Sequence, residues 1–569
     1  MNRRLATIFA VAVLTAAACS AAPAQTTAPP APTGGSPTQA PATTAPPQPT
    51  DAGPKQGGTF VVTLPGDMSR TDPALALDNN AYTVMEQVME GLVDTAPGST
   101  SEIVPVLAES LPEVTNDGTT YTFTLRQGVT FHDGTPFNAD AVKYNYDRWN
   151  NLPAELQDFA YYWRTVFAGF GTESNLASVD VLDPYTVAIN LKQPNSSFLL
   201  ATTLVVFAIS SPAALQAGDA DNIDNSQAAY SQGGDPAMVG TGPFIFDEWV
   251  PGDSVTVVKN ADYWGTPAYL DRVAFKIIGE QTATLNAVQS GSVDGATIIA
   301  PQDAAVVEQD PSLQVITRAE TCNVTMVGIN HEFPVVSDVN IRKAMMYALD
   351  RQSYLDALWS GLGEVADNWM PPSTAYWKAL DLPSYDPDMA RTLIEQSGIT
   401  GDDLKFTFTY PTGVTRAYLP DPKGLFEAIV RDLEAVGFQV ETQALPFRPN
   451  YSDMQFTGQL QVFESGIQCD WAAPDSYITS FFGFSGGEPA PRFDYANEQM
   501  NQYMLDALAA PSDAEAARLW GLVQDELAND IPTIPLVHTS PPGAAQTYVM
   551  GWIGAGTAIE SYKEVWLDK

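Results

Sequence analysis

The residues with the widest chemical repertoire are scarce in this 569-residue chain: three histidines, His132, His331 and His538, and three cysteines, Cys19, Cys322 and Cys469. Scattered imidazoles leave little for metal binding or a His-dependent triad, and no metal or cofactor is expected. Three cysteines exclude a four-Cys zinc site and a disulfide-dense scaffold. No His-Glu-x-x-His helix and no nucleophile elbow is read from the chain, so it is expected not to be an enzyme. What remains is the chemistry of charge. Acidic residues outnumber basic ones 67 to 27, a formal net charge of −40. Such a surface repels phosphate backbones and anionic headgroups, which excludes nucleic acid as a partner and suits capture of cationic or zwitterionic small molecules. Charged residues are only 17% and apolar residues 45%, so the chain has enough to bury several cores.

The N-terminus carries an address. Arg3 and Arg4 precede a largely apolar stretch, Leu5 to Ala18, too short to span a bilayer comfortably but suited to a signal h-region. Leu14-Thr15-Ala16-Ala17-Ala18-Cys19 resembles a bacterial lipoprotein box, with Ala16 where Leu is more usual. That resemblance implies removal of residues 1–18 and a diacylglycerol on Cys19; the alternative is plain secretion with cleavage after Ala24. Residues 19–56 read as a tether, for ten of the chain's 44 prolines fall in 20–56 among Ala, Thr and Gln. Such a segment has nothing to bury and, extended, reaches on the order of 100 Å. No later stretch approaches 18 consecutive apolar residues. The expected place is the cell envelope, lipid-anchored to the outer face of the cytoplasmic membrane.

The body from Gly57 onward is mixed α/β. Gly58 to Leu64, Tyr121 to Arg126, Val255 to Val258 and Val273 to Ile278 read as strands, and Val129-Thr130-Phe131 as a continuation before the turn His132-Asp133-Gly134. Asp386-Pro387 supplies an N-cap and a first-turn proline, and Gly398 a left-handed stop. Ile341, Ala344, Met345, Ala348, Leu349 and Leu355 keep helical spacing behind Ser337 and Asp338. Leu425 to Val436 ends at Gly437, and Phe438 to Glu441 resumes as a strand.

Four segments in register then carry a resemblance. They are Asp117 to Gly134 continuing to Val142, Gly240-Thr241-Gly242-Pro243-Phe244 followed by Lys259 to Gly265, Ile341 to Arg351, and the capped helix at Asp386-Pro387. Together they resemble the family 5 extracellular solute-binding proteins of ABC importers, the peptide/nickel type. The resemblance implies a periplasmic-binding-protein type II fold with two lobes, an inserted third domain and a two-segment hinge. By analogy the first lobe combines 57–95, 213–318 and 540–569, the insertion is 96–212, and the second lobe is 319–539. It implies a monomeric receptor that hands dipeptides or short peptides to a permease and its ATPase.

A free dipeptide is a zwitterion, and enclosing it requires a partner for each charge. Gly466-Ile467-Gln468-Cys469-Asp470-Trp471 resembles the family loop whose aspartate grips the ligand ammonium, which falls on Asp470; Ile467 stands where related peptide binders carry Trp. Val414-Thr415-Arg416-Ala417-Tyr418 resembles the dipeptide binders' segment whose arginine forks onto the ligand carboxylate, which falls on Arg416. Tyr418 and Trp471 adjoin these anchors, and the main chain of Gly466, Ile467 and Gln468 is placed to pair with an added peptide strand. Relatives with a disulfide between the corresponding regions imply Cys322–Cys469. The same scaffold also takes oligosaccharides, metal chelates and other small solutes, and Trp369, Trp377 and Trp471 keep a stacked sugar open. The three histidines are expected to be structural.

Overall fold

Thr59–Leu64 is a strand because Phe60, Val62 and Leu64 alternate onto a buried face while β-branched residues fill the other. In the computed structural model, which describes residues 53–223, 238–468, 470–485 and 487–569, it is the parallel centre of a seven-stranded sheet. The order is Leu313–Ile316, Gly543–Gln546, Gly295–Ala296, Thr59–Leu64, Arg272–Ile277, Ser254–Lys259 and Phe244–Val250. Stretches far apart in sequence therefore build one lobe. The signal segment, Cys19, most of the tether and Cys469 lie outside the described residues.

A six-stranded sheet organises the second lobe, in the order Glu364–Val365, Ile534–Thr539, Asn323–Ile329, Val462–Gln468, Lys405–Thr412, Gln439–Pro446. Asn323–Ile329 is buried along its whole length. Lys405–Thr412 and Gln439–Pro446 run parallel, joined by the helix Pro422–Val436. That helix starts at Asp421, whose carboxylate accepts from the Gly424 N–H, and stops at Gly437 with φ 114°. The neighbouring helix Pro387–Ser397 is capped by Asp386 and stopped by left-handed Gly398. A third, antiparallel sheet of Glu113–Thr115, Thr120–Thr124, Thr186–Leu191 and Leu176–Asp183 belongs to the inserted stretch.

The second lobe has a hydrophobic core of its own, whereas one continuous core runs from the seven-stranded sheet through the inserted one. The chain passes between lobes at 317–322 and at 540–542. These passages lie side by side: the Cys322 N–H donates to the Thr539 carbonyl at 3.2 Å, and the Ser540 hydroxyl to the Glu320 carbonyl at 2.9 Å. Arg318, in the first passage, donates to the Pro541 carbonyl in the second and pairs with buried Glu560 at 2.8 Å.

Two elements differ from the sequence expectation. The helical pattern from Ile341 to Leu355 is two helices, Val339–Ala348 and Arg351–Leu358. Leu349 turns extended, and Asp350 caps the second helix by accepting from the Ser353 N–H at 3.2 Å. Val129–Phe131 does not extend the preceding strand. Thr130 instead makes one bridge to Pro136 around the His132-Asp133-Gly134 turn, where Gly134 sits at φ 82°.

The inserted stretch is fastened by a buried ion pair, Arg148 on the helix Ala139–Asn150 to Asp72 at 2.6 Å, with Arg148 also reaching Asp221 at 2.7 Å. Removing one partner of such a pair leaves an uncompensated buried charge. Arg148→Ala is expected to cost about 3–5 kcal/mol of stability, measured by denaturant unfolding; a loss below ~1 kcal/mol would show that Asp72 is rehydrated.

Candidate functional site

Val462–Gln468 pairs with Asn323–Ile329 along its whole length but with Lys405–Thr412 only at Val462 and Phe463. Beyond Phe463 its second edge has no strand partner among the described residues. The Tyr451 hydroxyl donates to the Glu464 carbonyl on the way. Gly466 is glycine for a steric reason: a Cβ there would collide with the Tyr418 ring and lie 2.5 Å from the Val324 carbonyl oxygen. Tyr418 is thereby laid against the strand, and its carbonyl accepts from the Thr325 hydroxyl. It sits at the tip of a tight hairpin in which Arg416 and Leu419 exchange main-chain hydrogen bonds of 3.0 and 2.9 Å.

After Gln468 the chain leaves the second lobe and docks on the first. Trp471 is buried in the first lobe's core, edge-on to Tyr162 with centroids 6.4 Å apart. Its indole N–H donates to Asp475 Oδ1 at 3.1 Å, which also accepts from the Ser197 hydroxyl at 2.7 Å. Asp470 accepts from the Tyr162 hydroxyl at 2.7 Å, and among the described residues that is its one hydrogen-bond donor. Burial pushes its carboxyl up to about 6, the Tyr162 bond opposing. Asp470 and Trp471 also border a cavity of about 370 Å³.

Arg416 is exposed, with its guanidinium over the Phe447 ring at 4.5 Å. No carboxylate pairs with it among the described residues. Arg492, which the sequence reading missed, is a second such guanidinium. It packs over Phe481, Phe456 and Phe493 at 4.8–5.2 Å and donates from Nη2 to the Ser465 hydroxyl at 3.0 Å, while its Nε is buried without a partner. Tyr161, on the helix Tyr161–Phe167 of the insertion, lies within electrostatic reach of both ends. Burial and then Asp470 raise its phenol, and Arg492 opposes them. Nothing in Pro491-Arg492-Phe493 distinguishes this arginine by spacing; only its flanking aromatics hint at enclosure.

The other candidates are placed as follows. Ile467 packs against the second core, and the Gln468 side-chain amide donates to the Thr557 carbonyl at 3.3 Å. Trp369 is buried and donates to the Thr533 hydroxyl at 2.8 Å, and Trp377 packs against the same core, so neither indole is a free platform. His132 and His331 each bond a backbone carbonyl, of Gly242 at 3.0 Å and Pro532 at 2.9 Å, and His538 is buried in the strand Ile534–Thr539. Cys322 is disulfide-bonded; its expected partner, Cys469, lies outside the described residues. Gly483-Phe484-Ser485-Gly486-Gly487 does have the Gly-x-Ser-x-Gly spacing. Phe484–Ser485 pairs with Glu488–Pro489 as a short antiparallel ribbon, however, rather than turning from strand into helix.

The family model "Bacterial extracellular solute-binding proteins, family 5 Middle" matches residues 102–489. Heme-binding protein A of Haemophilus influenzae is 27% identical over 511 residues, covering 87% of this chain and 90% of that protein. The glutathione-binding protein GsiB of Escherichia coli O1:K1 / APEC is 28% identical over 514 residues, covering 88% and 93%. Among solved structures, the ABC transporter-associated periplasmic binding protein DppA from Helicobacter pylori, in complex with peptide STSA, superposes with a TM-score of 0.73 at 23% identity. It covers 90% of this chain and 99% of that one. That likeness establishes the type II periplasmic-binding-protein fold expected from the sequence.

The Tyr162 hydroxyl stabilises the ionised form of Asp470. In Tyr162→Phe the Asp470 carboxyl is therefore expected to titrate above its starting value of about 6, followed by carboxyl-carbon NMR against pH. An unmoved midpoint would mean that the hydroxyl does not bond the carboxylate in solution.

Proposed function

We propose that this chain, which belongs to the family 5 bacterial extracellular solute-binding proteins, is the receptor that binds dipeptides or short peptides for an ABC importer. The observation that supports the reading most is the distribution of unpaired charge around the Val462–Gln468 strand. Asp470, at one end, has a hydroxyl donor but no cation; Arg416 and Arg492, toward the other, have no carboxylate. Buried Arg342 and Arg351 also lack an acidic partner among the described residues but spend their guanidinium N–H groups on backbone carbonyls, whereas Arg416 and Arg492 lie over aromatic rings with donors left for an incoming anion. Asp470 receives the peptide ammonium, Arg416 forks onto the carboxylate, and Arg492 adds fixed positive potential beneath it. Beyond Glu464, whose carbonyl is taken by Tyr451, the unpaired edge of residues 465–468 offers main-chain groups to the peptide backbone, which reads an extended ligand without reading its side chains.

The same reading places the receptor outside the cytoplasmic membrane as a monomer, held by a lipid on Cys19 and delivering its guest to permease and ATPase subunits. No helix among the described residues is long and apolar enough to cross a membrane. An oligosaccharide or chelate receptor on this scaffold is the alternative, and the buried indoles speak against a stacked sugar.

Calorimetry with a free dipeptide and its N-acetyl derivative tests the charge pair. Acetylation and Arg416→Ala are each expected to weaken binding by about 2–5 kcal/mol. If Arg416→Ala changes nothing and Arg492→Gln abolishes binding, the carboxylate site moves to Arg492. Equal affinity for free and acetylated peptide would reject Asp470 as the anchor. Affinity for the free dipeptide should fall as pH is lowered through about 6, where Asp470 takes up a proton. For the anchor, Cys19→Ser is expected to move the protein from the membrane fraction to the soluble one; retention on the membrane would refute lipidation.

A further inference from the structure

The cavity beside Asp470 is acidic in a way that the zwitterion reading leaves unused. The helix Asn79–Val88 and the segment after it bring Glu86, Glu90 and Asp94 to its wall, with Tyr82 and Met89 supplying apolar lining. Glu90 is fully occupied: it accepts from Tyr263 at 2.6 Å, Thr241 at 2.7 Å and Trp264 at 2.8 Å. Thr241 reaches it because Gly240 and Gly242 press against the Val88 carbonyl, where a Cβ would not fit. Glu560, also on the wall, is neutralised by Arg318. Glu86 and Asp94 are different. Both are enclosed by protein yet keep surface toward the cavity; Asp94 accepts one backbone N–H, from Thr95 at 2.6 Å, and Glu86 has no hydrogen-bond donor among the described residues. Lys563 is the one Lys or Arg on the wall among the described residues; it lies 3.6 Å from Glu564 and its charge favours the ionised form of Glu90.

We propose that this cavity is a specificity pocket for a second positive charge on the ligand: the ammonium or guanidinium of a basic first side chain, held by Glu86 and Asp94 while Asp470 holds the peptide's own N-terminus. The inference rests on the peptide reading above and deepens it. Asp470 borders the same cavity, so a peptide anchored there has its first side chain at the pocket mouth. The volume of about 370 Å³ is that of a small ligand site. Apolar walls match a methylene stem, and enclosed carboxylates match its charged tip. Burial holds Glu86 well above the usual carboxylate range, with Asp94 and then Glu90 adding to it, and holds Asp94 up at about 6. An arriving cation relieves both and releases protons. The groups facing them are Glu90, Asp470, Tyr82, Tyr263, the Arg318–Glu560 pair and Lys563 with Glu564.

The test is calorimetry on the full chain with lysyl-alanine and norleucyl-alanine, which share a stem and differ in the charged tip. Lysyl-alanine is expected to bind ~10-fold or more tightly. It should also release more protons, read from measurements in buffers of different ionisation heat. In Glu86→Gln and Asp94→Asn the preference should shrink while norleucyl-alanine affinity holds. Equal affinities in the unmodified chain would overturn the pocket and leave the peptide reading standing. Absence of binding by both peptides would overturn both.

Discussion

A carboxylate taken out of water must find a donor, a proton or a cation, and Asp470 has been given one hydroxyl. That deficit organises the site. Tyr162 must be held at hydrogen-bond distance, so it is wedged edge-on between Tyr82 and Trp471, with centroids 6.1 and 6.4 Å away. Trp471 must not drift, so it is sunk in the first lobe's core and tied through Asp475 to Ser197. The loop is thus covalently part of one lobe and packed as part of the other.

Closure needs two bodies that keep their own packing. The second lobe has a separate core, and the inserted sheet shares the first lobe's. The passages between lobes are short and run side by side, with Arg318 of one bonded to Pro541 of the other. A rotation about such a pair disturbs few internal contacts, whereas shear through either core would break close packing. The insertion cannot move independently, because Arg148 and Asp72 would each be left as a buried lone charge. Tyr161 and Tyr162 therefore approach the cleft as fixtures of the first lobe.

What could be read from the sequence follows from the range of the forces involved. Caps are local: Asp386-Pro387 with Gly398, and the stop at Gly437, announce their helices by residue type alone, and the structure has both. The break at Asp350 was missed because it depends on Asp432, a residue 82 positions away that accepts the Asp350 N–H. Asp470 and Arg416 are singled out by resemblance, not by physics, since isolated charged residues look alike in a sequence. Arg492, Glu86 and Asp94 were not legible at all. What singles them out in the proposed readings is their enclosure, which packing from distant segments creates. The Gly-x-Ser-x-Gly match at 483–487 is the converse case, a spacing whose meaning depends on a strand–turn–helix context that this chain does not supply.

The net charge of −40 takes on a narrower meaning once position is considered. Most acids sit in water, where each costs little and contributes to solubility. Those around the proposed pocket are sorted by what compensates them: Glu560 by Arg318, Glu90 by three neutral donors, Asp470 by one, Glu86 by none. That gradient runs from structural to receptive. In the proposed reading a neutral zwitterion satisfies Asp470 at one end and Arg416 with Arg492 at the other without changing the charge of the closed cleft. A guest with an additional cation also satisfies what remains around Glu86. In that reading the discrimination lies in the carboxylates on the cavity wall still lacking a partner, a quantity the surface excess of acid does not reveal.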